Sequence, residues 1–149
     1  LFPLLANKVG SKGTLYAVDI ISKFVEHIKN RAENTGLTQV KTVLSNEHST
    51  ELPEDSIDIV FISDSYHHFV HYQNMLTSIH SAMRSGGQFV VVEFDMVPGK
   101  SSKFLVEHIH DTKEVFTAEI EVNGFMPVDD ITIEGMTETF IRRFVKHEL

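Results

Sequence analysis

The residues able to do chemistry sit in three short stretches, each just past an apolar, strand-like run. Asp19 closes Gly13-Thr14-Leu15-Tyr16-Ala17-Val18-Asp19. A carboxylate at a strand tip in a nucleotide-binding sheet can accept both hydroxyls of an adenosine ribose. The same feature serves a nicotinamide dinucleotide, and a solvated aspartate ending a strand looks identical in sequence. Asp19 therefore points to a nucleoside and not to a reaction. Ser45-Asn46-Glu47-His48 follows a second run. Asn46 or Glu47 could bond an adenine amino group, or the four residues could form an ordinary surface loop. Asp64-Ser65-Tyr66-His67-His68-Phe69 follows the most apolar run. Loops at the carboxyl ends of parallel strands form the ligand crevice of such sheets. A general base or hydrogen-bond donor fits His67 there. The alternative is a packed helix start.

Other chemistries are disfavoured or excluded. His67 and His71 are spaced i, i+4, as two metal ligands on a helix would be, but no carboxylate or cysteine completes a familiar motif. No metal site is expected. The chain has no cysteine, which excludes disulfides, thiolate ligands and cysteine nucleophiles. His108 and His110 belong to the least regular stretch, residues 100–110, and could reach the same cleft as His67.

These stretches need strands to carry them. Residues 14–18, 40–44, 57–62 and 89–94 read as strands, the third nearly all apolar and so central and covered on both faces. Helices are expected at 1–9, 23–35, 74–83 and 111–123. Ser22 caps the second, with Phe24, Val25, Ile28 and Ala32 on its inner face, and Asp111 and Glu114 form a capping box on the fourth. Residues 131–136 and 139–145 follow with almost no connector, which predicts an antiparallel hairpin. The class is α/β, a doubly wound, mostly parallel sheet with a C-terminal antiparallel hairpin.

The 149 residues suit one domain, 1–149. Hydrophobic residues at 42% and charged residues at 23% are the composition of a folded chain. A formal net charge of −8 disfavours a sequence-independent grip on nucleic acid, which needs a basic stripe. Apolar runs are strand-length, so no membrane span is expected. A cytoplasmic setting is expected.

In order and spacing, GTLYAVD, LPEDSIDIVFISDSYHHF, MRSGGQFVVVE and the Asn123-Gly124-Phe125 turn resemble class I (Rossmann-like) S-adenosylmethionine-dependent methyltransferases. The resemblance covers essentially the whole chain, and small-molecule enzymes such as the quinone-biosynthesis C-methyltransferases and arsenite methyltransferases are similar. It implies S-adenosylmethionine as cofactor and a small-molecule acceptor. It implies Asp19 on the ribose, Asn46 and Glu47 at the adenine, Asp64 and Ser65 at the amino-acid end, and Tyr66 and His67 facing the acceptor. The sequence departs from the family at its start. The family's first strand and G-x-G-x-G loop are missing, as in an N-terminally truncated chain that begins midway through the first helix. His48 also stands close to where the family often has an aspartate. The incomplete sheet would then be open to a second copy. Two other readings stay open: a catalytically inactive methyltransferase-like interaction module, and an NAD-type oxidoreductase fragment, which the antiparallel ending disfavours.

Overall fold

Proline in a first turn and glycine just past a last turn bound the opening helix, α1 (Phe2–Val9). Gly10 takes φ 74°, a conformation costly for other residues, and its N–H donates to the Ala6 carbonyl. The computed structural model describes residues 1–109 and 111–148. The chain forms two compact units, Leu1–Leu52 and Pro53–Leu149.

In the first unit, α1 leads to β1 (Leu15–Asp19), α2 (Ser22–Asn34) and β2 (Val40–Leu44). β1 and β2 pair in parallel, from Leu15 opposite Val40 to Asp19 opposite Leu44. The Gln39 side-chain amide donates to the Ala6 carbonyl at 2.9 Å and ties the start of β2 to α1. Ser22 is not the cap of α2: it is the first helical residue, and Ile21 holds the cap position without a side-chain bond. Of the expected inner face, Ala32 is buried and Val25 and Ile28 are half-buried, whereas Phe24 stays 55% exposed.

The second unit runs β3 (Ile57–Ser63), a 3-10 turn (Tyr66–His68), α3 (Tyr72–Ala82), β4 (Met83–Phe94), α4 (Lys103–His108), α5 (Lys113–Val122), β5 (Phe125–Asp130) and β6 (Thr139–Lys146). Its sheet has the order β3-β4-β6-β5. β3 and β4 are parallel, with α3 as the crossover, while β4–β6 and β6–β5 are antiparallel. The class is thus α/β with parallel pairs and an antiparallel C-terminal pair. Phe89, Phe144, Leu76, Ile79 and Ile120 fill the core beside this sheet.

Four further expectations are corrected. β3 is not covered on both faces: it is the edge of its sheet, and Ile59 and Phe61 are 62% and 41% exposed. The antiparallel partner of β6 is β5, not residues 131–136, which form most of the connector. Ile131, Ile133 and Met136 are apolar but exposed, so their pattern misleads. β5 is chosen instead by Phe125, which is buried, and by Asp129 and Asp130, which stand opposite Arg143 and Arg142 in the register and pair with them. The cap of α5 is Thr112, whose hydroxyl accepts from the Val115 N–H, not Asp111. Residues 103–108 form a helix within the stretch read as irregular.

Candidate active site

In the first unit, the parallel pairing of β1 and β2 brings two of the three chemical stretches to one edge. Asp19 ends β1 opposite Leu44, and the Ser45 N–H donates to the Asp19 carbonyl at 3.0 Å. Asp19 Oδ1 accepts the Ile21 N–H at 2.8 Å, which turns the chain from strand into α2. Asn46 is occupied with its own loop. Its Oδ1 accepts from the His48 N–H at 2.8 Å, and its Nδ2 donates to Glu51 at 2.9 Å. Glu47 is exposed beside it.

In the second unit the site grows from the end of β3. Asp64 sits at φ 49°, a left-handed backbone unusual for a residue with a side chain, and its N–H still donates to Val92 of β4. The chain bends sharply at the sheet edge as a result. Ser65 Oγ donates back to the Ser63 carbonyl at 2.8 Å, and the 3-10 turn follows. Tyr66 points into the core. It is 2% exposed, packs edge-on against Phe116 with ring centroids 5.3 Å apart, and donates to Glu119 at 2.9 Å. Burial, and then the Glu119 charge, pushes its hydroxyl far above the usual phenol range. Burial likewise raises Glu119, against the opposing effect of the Tyr66 bond. The hydroxyl expected at the acceptor is therefore engaged inside the protein.

His67 meets a residue to which the sequence reading gave no role. Glu93 is wholly buried near the end of β4, on the same face as Phe89 and Val91 by strand alternation. Its carboxylate accepts the Phe94 N–H at 2.8 Å and the His67 N–H at 3.3 Å. His67 Nδ1 lies 2.9 Å from Glu93 Oε1, within ion-pair distance, with the imidazole side chain 6% exposed. The alignment falls outside hydrogen-bond geometry, and neither ring nitrogen has a hydrogen-bond partner among the described residues. The distance shows which group His67 faces; the angle shows that the contact is not a formed hydrogen bond. The one available signal was a lone acid inside an apolar strand, in Val90-Val91-Val92-Glu93-Phe94.

Two further imidazoles cover His67. The His68 and His108 rings lie 4.0 and 5.1 Å from it, centroid to centroid. His108 comes from the last residue of α4 and stacks on Phe104. Burial, followed by the neighbouring His67 and His108, lowers the pKa of His68, and the Glu93 charge opposes this. The i, i+4 spacing of His67 and His71 did not find this group; a local turn and a distant helix built it. His110 lies outside the described residues. Among those residues, no helix is long and apolar enough to cross a membrane.

A family model described as a methyltransferase domain matches residues 1–136. The ubiquinone/menaquinone biosynthesis C-methyltransferase UbiE of Hydrogenovibrio crunogenus is 28% identical over 93 residues, which are 62% of this chain and 37% of that protein. The chain thus spans well under half the length of the curated relatives it matches. A SAM-dependent methyltransferase from Aquifex aeolicus shares the fold with a TM-score of 0.84 at 18% identity, over 97% of this chain and 75% of that one. The [4+2]-cyclase SpnF shares it with a TM-score of 0.80 at 12% identity, over 97% and 70%.

Proposed function

The chain belongs to the methyltransferase-domain family, and from that premise we propose that it forms the greater part of a domain that transfers a methyl group from S-adenosylmethionine to a small-molecule acceptor. The match over residues 1–136 carries the proposal. The donor chemistry of the strand-end residues fits the cofactor. Asp19, at the carboxyl edge of β1, offers a carboxylate to a ribose diol, as the polar Asn46–Glu47 loop on the same edge offers groups to an adenine. Asp64 and Ser65, at the bend after β3, suit an amino-acid end with its ammonium group.

When bound, S-adenosylmethionine supplies a methyl group already activated by its sulfonium. The protein's task is then alignment and, for an acceptor that must lose a proton, proton removal. We assign the second part to His67, whose ring nitrogens are enclosed, so that an acceptor reaches them only when the exposed His68 and His108 rings move aside. Glu93 Oε1 stands at the Nδ1 side of the ring, and the exposed His68 and His108 rings pack against His67. Tyr66 positions this turn through Phe116 and Glu119. The acceptor class to test first is a demethylated quinone, because the curated relatives carry such names. A cytoplasmic setting is part of the proposal, and a cysteine-free chain is compatible with it.

A second reading, an inactive methyltransferase-like interaction module, is favoured by one observation: the polar groups of Tyr66 and Asn46 are engaged within the protein itself. The likeness to a cyclase also warns that this fold hosts other chemistry. The protein expressed from its full reading frame tests both. The methyltransferase reading expects a rise in melting temperature with S-adenosylhomocysteine and none with NAD, together with label transfer from methyl-labelled S-adenosylmethionine to a demethylated quinone. Absence of both cofactor binding and transfer would leave the module reading standing. A shift with NAD alone would favour an oxidoreductase.

A further inference from the structure

Three histidines from two separate elements converge above a buried carboxylate. We propose that His67, His68 and His108 bind a single divalent transition-metal ion of the borderline class, such as Zn2+ or Co2+. The inference rests on the geometry of the second unit alone; a bound ion would displace the proton-removal role given to His67 but leave the methyl-transfer reading itself untouched.

Each of the three imidazoles can offer one ring nitrogen, and these nitrogens lie within 4.8 Å of one another. Imidazole is a ligand that suits Zn2+, Co2+, Ni2+ and Cu2+. A tetrahedral ion with metal–nitrogen bonds of about 2.0–2.1 Å needs its ligands roughly 3.4 Å apart, so the rings must close inward. His68 and His108 are exposed, and their exposure gives the ion a way in.

A second observation points to a ligand. The His67 side chain is 6% exposed, and its Nε2 is enclosed without a hydrogen-bond partner among the described residues. Simple ring packing leaves that buried nitrogen unexplained, because buried polar atoms are ordinarily satisfied. A metal at Nε2 satisfies it. The other side of the ring is already arranged for this role. Nδ1 faces Glu93 Oε1 at 2.9 Å, and the carboxylate is itself held by the Phe94 and His67 N–H groups. A carboxylate behind a ligating histidine orients the ring and strengthens it as a ligand. His108 is steadied from its outer side by Phe104, whose ring lies nearly parallel at 5.3 Å. Three nitrogens leave a fourth position for water. With the ion bound, Nε2 is no longer open to a proton, so the filled site would replace the proton-removal role of His67 with a Lewis acid.

The test is a Co2+ titration of tag-free protein dialysed against chelator, read by visible absorption. The expected result is a saturable spectrum at one equivalent, displaced by Zn2+. His68→Ala and His108→Ala each weaken Co2+ binding by about tenfold or more, and Glu93→Gln by roughly 10–100-fold through loss of orientation. Both alanine variants alter exposed side chains, and circular dichroism checks that they remain folded. His27→Ala, on α2, leaves the titration unchanged. Absence of a saturable spectrum, retention of full affinity in His108→Ala, or an equal loss in His27→Ala would overturn the assignment.

Discussion

A tyrosine hydroxyl inside a protein is either part of the chemistry or part of the packing, and its partners decide which. Tyr66 is held by two aromatic rings, Phe69 and Phe116, and its hydroxyl donates to Glu119. This geometry gives it a positioning role. Tyr66→Phe keeps both ring contacts and removes one hydrogen bond to a partly buried carboxylate. We expect a stability loss of about 0.5–1.5 kcal/mol in urea denaturation, with cofactor affinity and turnover nearly unchanged. A loss of turnover far beyond the loss of folded protein would return the hydroxyl to the reaction. At this scale the sequence was legible where chemistry is local. His67 follows an apolar run and lies where a strand-end loop should put it. It was illegible where chemistry depends on a distant element. Glu93 and His108 are 26 and 41 positions further along, and nothing in the spacing around His67 announces them.

The β5–β6 pair shows how charge sets an element's register. Asp130 accepts from Arg142 at Nε and Nη2 and from Lys113 at the start of α5, so one carboxylate joins two strands and a helix. The Arg142 hydrogen bonds, followed by Lys113, hold its carboxyl at about 2, against an ordinary value of 3.8. The folded value is depressed, so the contribution is complete above 3.8 and is lost as pH falls toward about 2. Asp130 is 39% exposed, so solvent screening keeps the effect modest. Wild type is expected to exceed Asp130→Asn in urea midpoint at neutral pH, with the gap closing across that acid window; a gap constant with pH would dismiss the ion pair as its cause. The same charges explain the misplaced hairpin strand. Apolar periodicity favoured residues 131–136, but Asp129 and Asp130 find arginines directly opposite and those apolar residues do not find a core. The longer helices and the parallel strands were legible from their local apolar runs, although α4 was not, and the run of β3 is far less covered than its residue types suggest. Gly87 shows the converse, a close approach that sequence marks only as a break. A Cβ there would stand 2.8 Å from the Arg84 carbonyl oxygen.

At the scale of the whole molecule, the question is what the 149 residues can bind by themselves. A family member holds its cofactor with strand-end side chains and with the backbone of a glycine-rich loop. This chain supplies candidates for the first and contains no G-x-G-x-G segment for the second. Its sheets leave a corresponding mark. Among the described residues β1 pairs with β2 alone and β3 with β4 alone, and Ile59 and Phe61 on β3 are exposed although their types suit a covered strand. An open apolar edge of this kind invites pairing with another strand, including one from a second copy. Several backbone hydrogen bonds at about 1 kcal/mol each are lost without the loop, and each 1.4 kcal/mol is about tenfold in affinity. The isolated chain is therefore expected to bind S-adenosylmethionine weakly or not at all in calorimetry, and to self-associate in light scattering. Joining a strand and glycine-rich loop of the family type ahead of Leu1 should raise affinity by orders of magnitude and reduce self-association together, because one added strand serves both the loop and the edge. Micromolar binding by the 149-residue chain alone would show that the side chains at the strand ends suffice, and that the loop is dispensable here.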